Sequence, residues 1–120
     1  MPFLAVTDSN LSSWSGVLDI TDKDVAEGVL NQPDVLLLDV WASWCGPCRL
    51  MAPLMGWAAT TYAETLQVAK LEADPNPLTV QSLDVQGLPT LILFRRGEEV
   101  ARHEGAIPQS QLQQFIAAHL

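Results

Sequence analysis

The sequence predicts an α/β sandwich built on a mixed sheet. Three observations point there. Strand-like and helix-like patterns alternate along most of the chain. One run, VLLLDVW at residues 35–41, is apolar at almost every position. Two short strand-like segments near the C-terminal end are joined tightly at Gly97. A run without polar alternation suits a central strand buried on both faces. Alternating elements imply parallel crossovers in the first half, and the tight pair adds an antiparallel hairpin.

Taken in order, Val17 to Ile20 reads as the first strand. Thr21 is suited to cap a helix, with Asp22 and Asp24 in the first turn, and this helix is expected to run towards Leu30. Pro33 and Asp34 interrupt the chain before the 35–41 strand. A helical stretch then reaches about Tyr62, with Leu50, Met51, Leu54, Trp57 and Ala58 at helical spacing. Pro53 lies inside it and is expected to kink it. LQVAKLEAD, 66–74, is a further strand, and 76–83 a short helix or turn. TLILFRR, 90–96, and EVARHEG, 99–105, form the hairpin. Pro108 can start a last helix whose apolar face is Leu112, Phe115, Ile116 and Leu120. Residues 1–15 read as an N-terminal extension ahead of one domain at 16–120. In the extension FLAV is a candidate short strand and TDSNLSSWSG is turn-rich, and Trp14 either docks on the core or stands exposed.

Composition narrows the function. The chain has 120 residues, 48% hydrophobic and 17% charged, which is enough apolar material for one packed core. Fourteen acidic residues against six basic ones give a net charge of −8, which argues against nucleic acid and anionic lipid as partners. Arg95, Arg96 and Arg102 are interleaved with Glu98, Glu99 and Glu104, the pattern of a solvated hairpin edge. No apolar run approaches the roughly 20 residues that span a bilayer. No basic residue precedes Lys23, so the start of a secretion signal is lacking. The expectation is a monomer of a reducing, cytoplasmic compartment that binds neither nucleic acid nor membrane.

Cys45 and Cys48 are the only cysteines, separated by Gly46 and Pro47. Such a pair can be half of a metal site, a structural staple or a redox couple. Zinc and iron–sulfur sites usually need four ligands. The other soft ligands here are His103 and His119, which read as a surface and a helix-end histidine. A disulfide closing so small a loop stabilises poorly. The redox reading has a mechanism. A strand ending near Val40 and a helix starting near Cys45 put the Cys45 sulfur over unsatisfied helix N–H groups, which favour the attacking thiolate. Cys48 falls on the same side of the first turn, close to Cys45 but expected to be less exposed. Gly46 and Pro47 allow the tight entry. Asp39 is a costly carboxylate inside an apolar run, the kind of group that clusters at functional sites. Lys70 by itself reads as a solvent-facing strand residue.

WCGPC in this β–α context resembles the active site of the thioredoxin family. The resemblance extends from about Val17 to Leu120, through LLLDVWASWCGPCRLMAP, VAKLEADPNP, VQGLPTLILFRRGEEV and EGAIPQSQLQQFI. It implies the thioredoxin fold, three-layer α/β/α with a central mixed sheet of about five strands and four helices. It implies that Cys45 is the nucleophile and Cys48 the resolving thiol of a Cys45–Cys48 redox disulfide. Asp39 would be the buried carboxylate beneath the pair and Lys70 its neighbour. Pro89 would be a cis-proline facing the disulfide, Trp44 would cover one flank, and Gly46 and Pro47 would shape the turn. Gly87, Leu88, Gly105 and Ala106 would form a shallow apolar groove with Trp44 and Pro89. The implied activity is reduction of disulfides in client proteins, with electrons restored by a thioredoxin reductase drawing on NADPH or ferredoxin. No cofactor or metal is implied, because the cysteines carry the electrons. An oxidase or isomerase on the same fold and a non-enzymatic binding module are the alternatives. Gly46-Pro47 speaks against the first and the intact cysteine pair against the second. Gly56 and Trp57 depart from the family, whose members often carry charge there.

Overall fold

The computed structural model describes residues 14–120. The candidate strand FLAV and residues 7–13 of the turn-rich stretch after it lie outside the described residues. Among the described residues five strands form one sheet in the order β1-β3-β2-β4-β5. They are β1 Val17–Ile20, β2 Val35–Trp41, β3 Gln67–Glu72, β4 Thr90–Arg95 and β5 Glu98–Glu104. The parallel pairs are β1–β3 and β2–β3, and the antiparallel pairs are β2–β4 and β4–β5. Among the described residues the helices are α1 Asp22–Ala26, α2 Gly46–Thr61, α3 Pro77–Ser82 and α4 Gln109–Ala117. The mixed sheet and three layers are those expected.

The layers follow from strand alternation, since successive side chains point to opposite faces. Leu37, Val68, Leu91 and Leu93 meet Met51, Met55 and Ala58 of α2 and Leu112 and Ile116 of α4. Leu36, Leu38, Val40, Ala69, Leu71 and Ile92 face the other way, towards Val25, Val29, Val80 and Leu83. Every residue from Val35 to Val40 is buried, as a strand covered by helices on both faces requires. The hairpin closes through Arg96 and Gly97, at φ 52° and 83°. Two left-handed residues in a two-residue loop give the turn twist that matches paired strands.

Four details differ from the sequence expectation. The first helix stops at Ala26 and does not reach Leu30, because Gly28 turns to φ 94° and Val29–Asn31 make a separate 3-10 turn. The third strand ends at Glu72. Leu50 is 67% exposed, so it is not on the packed face of α2. That face is Cys48, Met51, Met55, Ala58 and Ala59, and Leu50 sits one residue, about 100°, off it. Leu120 lies beyond α4 and is exposed.

Local chemistry fixes the joints around the site. Thr21 caps α1 through a reciprocal box with Asp24. The Asp22 carboxylate accepts the Leu78 and Thr79 N–H groups at 3.1 and 2.8 Å, covering orphan donors at the start of α3. Asn76, buried, accepts the Asp22 N–H at 2.7 Å and donates to the Glu72 carbonyl at 2.9 Å. Trp14 docks: its indole N–H donates to the Val68 carbonyl at 3.0 Å and its ring packs on the α1/α3 layer.

Leu37 is completely buried between the sheet and α2. Leu37→Ala should therefore cost about 2–5 kcal/mol in urea unfolding of the oxidised protein. A loss well under about 1 kcal/mol would mean that β2 is not held between two layers.

Candidate active site

β2 leaves the sheet at Trp41, and a turn in which Cys45 N–H donates to the Ala42 carbonyl at 3.1 Å leads into α2. Cys45 is the N-cap of that 16-residue helix, with extended φ and ψ of −93° and 108°. Its sulfur accepts the Cys48 N–H at 3.2 Å, the bond that a capping side chain normally makes. Pro47, in the first turn, has no N–H to leave unsatisfied. Cys45 and Cys48 are joined in a disulfide, with Cα atoms 5.4 Å apart. Once reduced, a Cys45 thiolate in this place meets helix N–H groups and the positive end of the helix, both of which favour the anion.

Ala42, Cys45 and Cys48 make a small buried cluster, with Trp41 and Leu88 packed on it. Cys45 is 5% exposed and Cys48 4%, so the expected difference in exposure is absent from the disulfide form. The bond holds both sulfurs under the same neighbours. What separates the two cysteines is their surroundings: Cys45 caps the helix, whereas Cys48 lines a cavity that opens to solvent between exposed Ser43, Arg49 and Ala52.

That cavity, about 280 Å³, is bordered by Asp39, Trp41, Cys48, Arg49 and Lys70. Asp39 is 1% exposed, and its Oδ1 is buried without a hydrogen-bond partner. Burial pushes the Asp39 carboxyl up to about 7, and the nearby Lys70 charge opposes the rise. Lys70 is the register partner of Asp39 across the β2–β3 ladder. It is half-buried, and its ammonium stands 5.1 Å from the centroid of the Trp41 ring. The ion pairs among the described residues are Arg96–Asp34 and Arg102–Glu99, so Lys70 and Asp39 are neighbours that do not form an ion pair.

The other flank is built from two loops. The Leu88–Pro89 bond is cis, as the resemblance implied. The Pro89 carbonyl accepts the Gly105 N–H at 2.8 Å, and the Thr90 hydroxyl donates to the Gly87 carbonyl at 2.6 Å. These bonds set Gly87, Leu88 and Pro89 beside Gly105 and Ala106. Gly105 has φ 101°, a region that favours glycine. A side chain on Gly87 would run into the Glu104 carboxylate, whose Cδ lies 3.0 Å from the Cβ position. The rim therefore carries a charge where the sequence suggested only apolar lining.

Trp44 is 68% exposed, with its indole N–H donating to the Asp74 carboxylate at 2.8 Å. It stands beside the site, and Trp41 is the aromatic that packs on the cysteines. Trp41, Arg49, Asp74 and Glu104 were not foreseen. Only Trp41 had a usable signal: it lies two residues past Asp39 and so on the same strand face. His103 and His119 both pack against Phe115, with ring centroids 6.5 and 6.1 Å from it. No helix among the described residues is long and apolar enough to cross a membrane.

A family model described as Thioredoxin matches residues 16–118. A thioredoxin-like protein of Synechocystis sp. is 44% identical over 104 residues, covering 87% of this chain and 95% of the relative. Thioredoxin of Haemophilus influenzae is 40% identical over 106 residues, covering 88% and 99%. Thioredoxin of Mycobacterium bovis is 44% identical over 95 residues, covering 79% and 82%. With the Cys45–Cys48 pair at the head of α2, these matches show that the chain belongs to the thioredoxin family and is a thiol–disulfide oxidoreductase.

Proposed function

We propose that the two cysteines divide the reduction of a client disulfide between them. The observation that carries this division is the placement of Cys45 on the helix end and of Cys48 on the Asp39 cavity. The Cys45 thiolate attacks one sulfur of the client disulfide. That bond breaks, a mixed disulfide with Cys45 forms, and the departing client sulfur takes a proton. Cys48 then gives its proton to the ionised Asp39 carboxylate and attacks the Cys45 sulfur. The second client thiol leaves, two electrons have passed to the client, and Cys45–Cys48 is oxidised. A carboxyl near 7 is suited to exchanging a proton near neutral pH. A reductase partner returns the two electrons, drawing on NADPH or ferredoxin.

The client is an extended segment lying against Leu88, Pro89, Gly105 and Ala106, with Trp44 at its edge. In support, these loops are bonded together beside the cysteine cluster, and Leu88 packs on it. Residues 1–15 are an extension of the family domain, consistent with a family match that begins at residue 16. The protein works as a monomer in a reducing compartment such as the cytoplasm. The low cysteine count, with both cysteines in one redox pair, supports the reducing compartment.

Cys48→Ser should accumulate covalent adducts with client proteins through Cys45, since nothing remains to resolve them. Cys45→Ser should give few. Non-reducing gels of the two variants after exposure to oxidised clients make the comparison, and equal yields would refute the division of roles.

Asp39 links the site to stability. Its folded value of about 7 lies above the ordinary 3.8, so folded Asp39 holds its proton to higher pH than the unfolded chain. The resulting stabilisation is complete below the ordinary value and is lost as pH rises through about 7. Asp39→Asn removes this dependence. The variant should gain on the wild type between about pH 4 and about pH 8, by up to about 4 kcal/mol in urea unfolding. In stopped-flow reduction of a protein disulfide it should resolve the mixed disulfide slowly while attacking at nearly the normal rate. A stability gap that does not change with pH would contradict the burial argument, and unchanged resolution would remove Asp39 from the chemistry.

A further inference from the structure

Lys70 stands between two hollows. On the β2 side is the cavity it shares with Asp39, Trp41, Cys48 and Arg49. On the outer side is an open hollow of about 580 Å³, bordered by Lys70, Trp41, Asp19 and Glu72. The strand registers create this arrangement. Asp19 of β1, Lys70 of β3 and Asp39 of β2 lie in one row across the sheet. Two residues earlier on each strand come Val17, Val68 and Leu37, which all belong to the α2/α4 layer. Alternation therefore puts all three charged residues on that same face. Trp41 and Glu72 form the next row.

One ammonium thus has rival partners. Inward lies Asp39, whose Oδ1 has no hydrogen-bond partner. Outward lie the Asp19 and Glu72 carboxylates. The Trp41 ring borders both hollows, with its centroid 5.1 Å from Nζ, within cation–π range. Asp19 occupies the same row as Lys70, is exposed, and is not ion-paired among the described residues. We propose that Asp19 is a positioning residue of the redox site: from β1 it draws the Lys70 ammonium away from Asp39, so that less of that positive charge reaches the Asp39 carboxyl. The consequence for catalysis rests on Asp39 being the proton acceptor for Cys48; the charge competition itself does not.

The groups facing Asp39 are few. β3 contributes Lys70, and α2 contributes Cys48 and Arg49. β4 opposes Asp39 with the apolar Leu91. Asp19 and Glu72 border the hollow on the far side of Lys70. Arg49 is a second cation on the cavity, but it comes from the helix. A substitution at Asp19 therefore isolates the Lys70 path.

The test is a carbon-13 NMR pH titration of the Asp39 carboxyl in the full-length oxidised protein, where Cys48 does not titrate. Wild type, Asp19→Asn, Lys70→Met and the double variant are compared. Asp19→Asn should lower the Asp39 midpoint by roughly 0.3–0.6 pH unit, a size within the range of exposed charge–charge interactions. Asp19→Glu should restore the wild-type midpoint. In the Lys70→Met background Asp19→Asn should move it by less than about 0.1 pH unit. No shift in the presence of Lys70 would overturn the proposal, and so would an equal shift with and without Lys70, since Asp19 would then act by its own field. Asp19→Ser serves as a second neutral variant if Asp19→Asn folds poorly. The pH dependence of mixed-disulfide resolution is measured alongside. If the carboxyl midpoint moves and the kinetic midpoint stays, the positioning role is upheld and the acceptor role of Asp39 falls.

Discussion

The burial of β2 on both faces governs the rest of the structure. Six consecutive residues from Val35 to Val40 lie out of water, so neighbouring side chains must serve opposite helical layers. The strand can meet that demand only at the centre of the sheet, between β3 and β4. From there its C-terminal end opens directly into α2, with Cys45 as the cap. The same burial encloses Asp39. A carboxylate in such a place cannot keep its charge cheaply, and it holds its proton up to about pH 7. Helix capping on one cysteine and a proton-holding carboxyl behind the other thus have a single structural origin.

Much of this was legible in the sequence because short-range physics determines it. VLLLDVW could not be a half-exposed strand, Thr21 could cap a helix with Asp22 and Asp24 in its first turn, and the gap between Val40 and Cys45 put a cysteine on a helix end. The roles attached to Asp39, Lys70 and Pro89 came from the family resemblance, which spans the whole domain.

What was not legible depends on register, on long-range packing or on the end of an element. The helix expected to run towards Leu30 is cut short, and only the backbone turn at Gly28 divides it from the 3-10 segment. Leu50 looked like a core residue until the helix phase was fixed by Met51 and Met55. Trp41 became a wall of the Asp39 cavity through the pairing of β2 with β3. Glu104 reached Gly87 from another strand, across a distance in sequence that no local pattern crosses. Equal burial of the two sulfurs belongs to the disulfide, a state that a list of residues does not specify.

The central claim is that helix capping makes Cys45, rather than Cys48, the attacking thiol. The most direct measurement is alkylation of the reduced protein with iodoacetamide across pH, with each modified cysteine identified by mass spectrometry. Cys45 should react first, and its reactivity should titrate below the value of about 8.5 for a free thiol. Faster modification of Cys48, or titration of Cys45 at the ordinary value, would contradict the account.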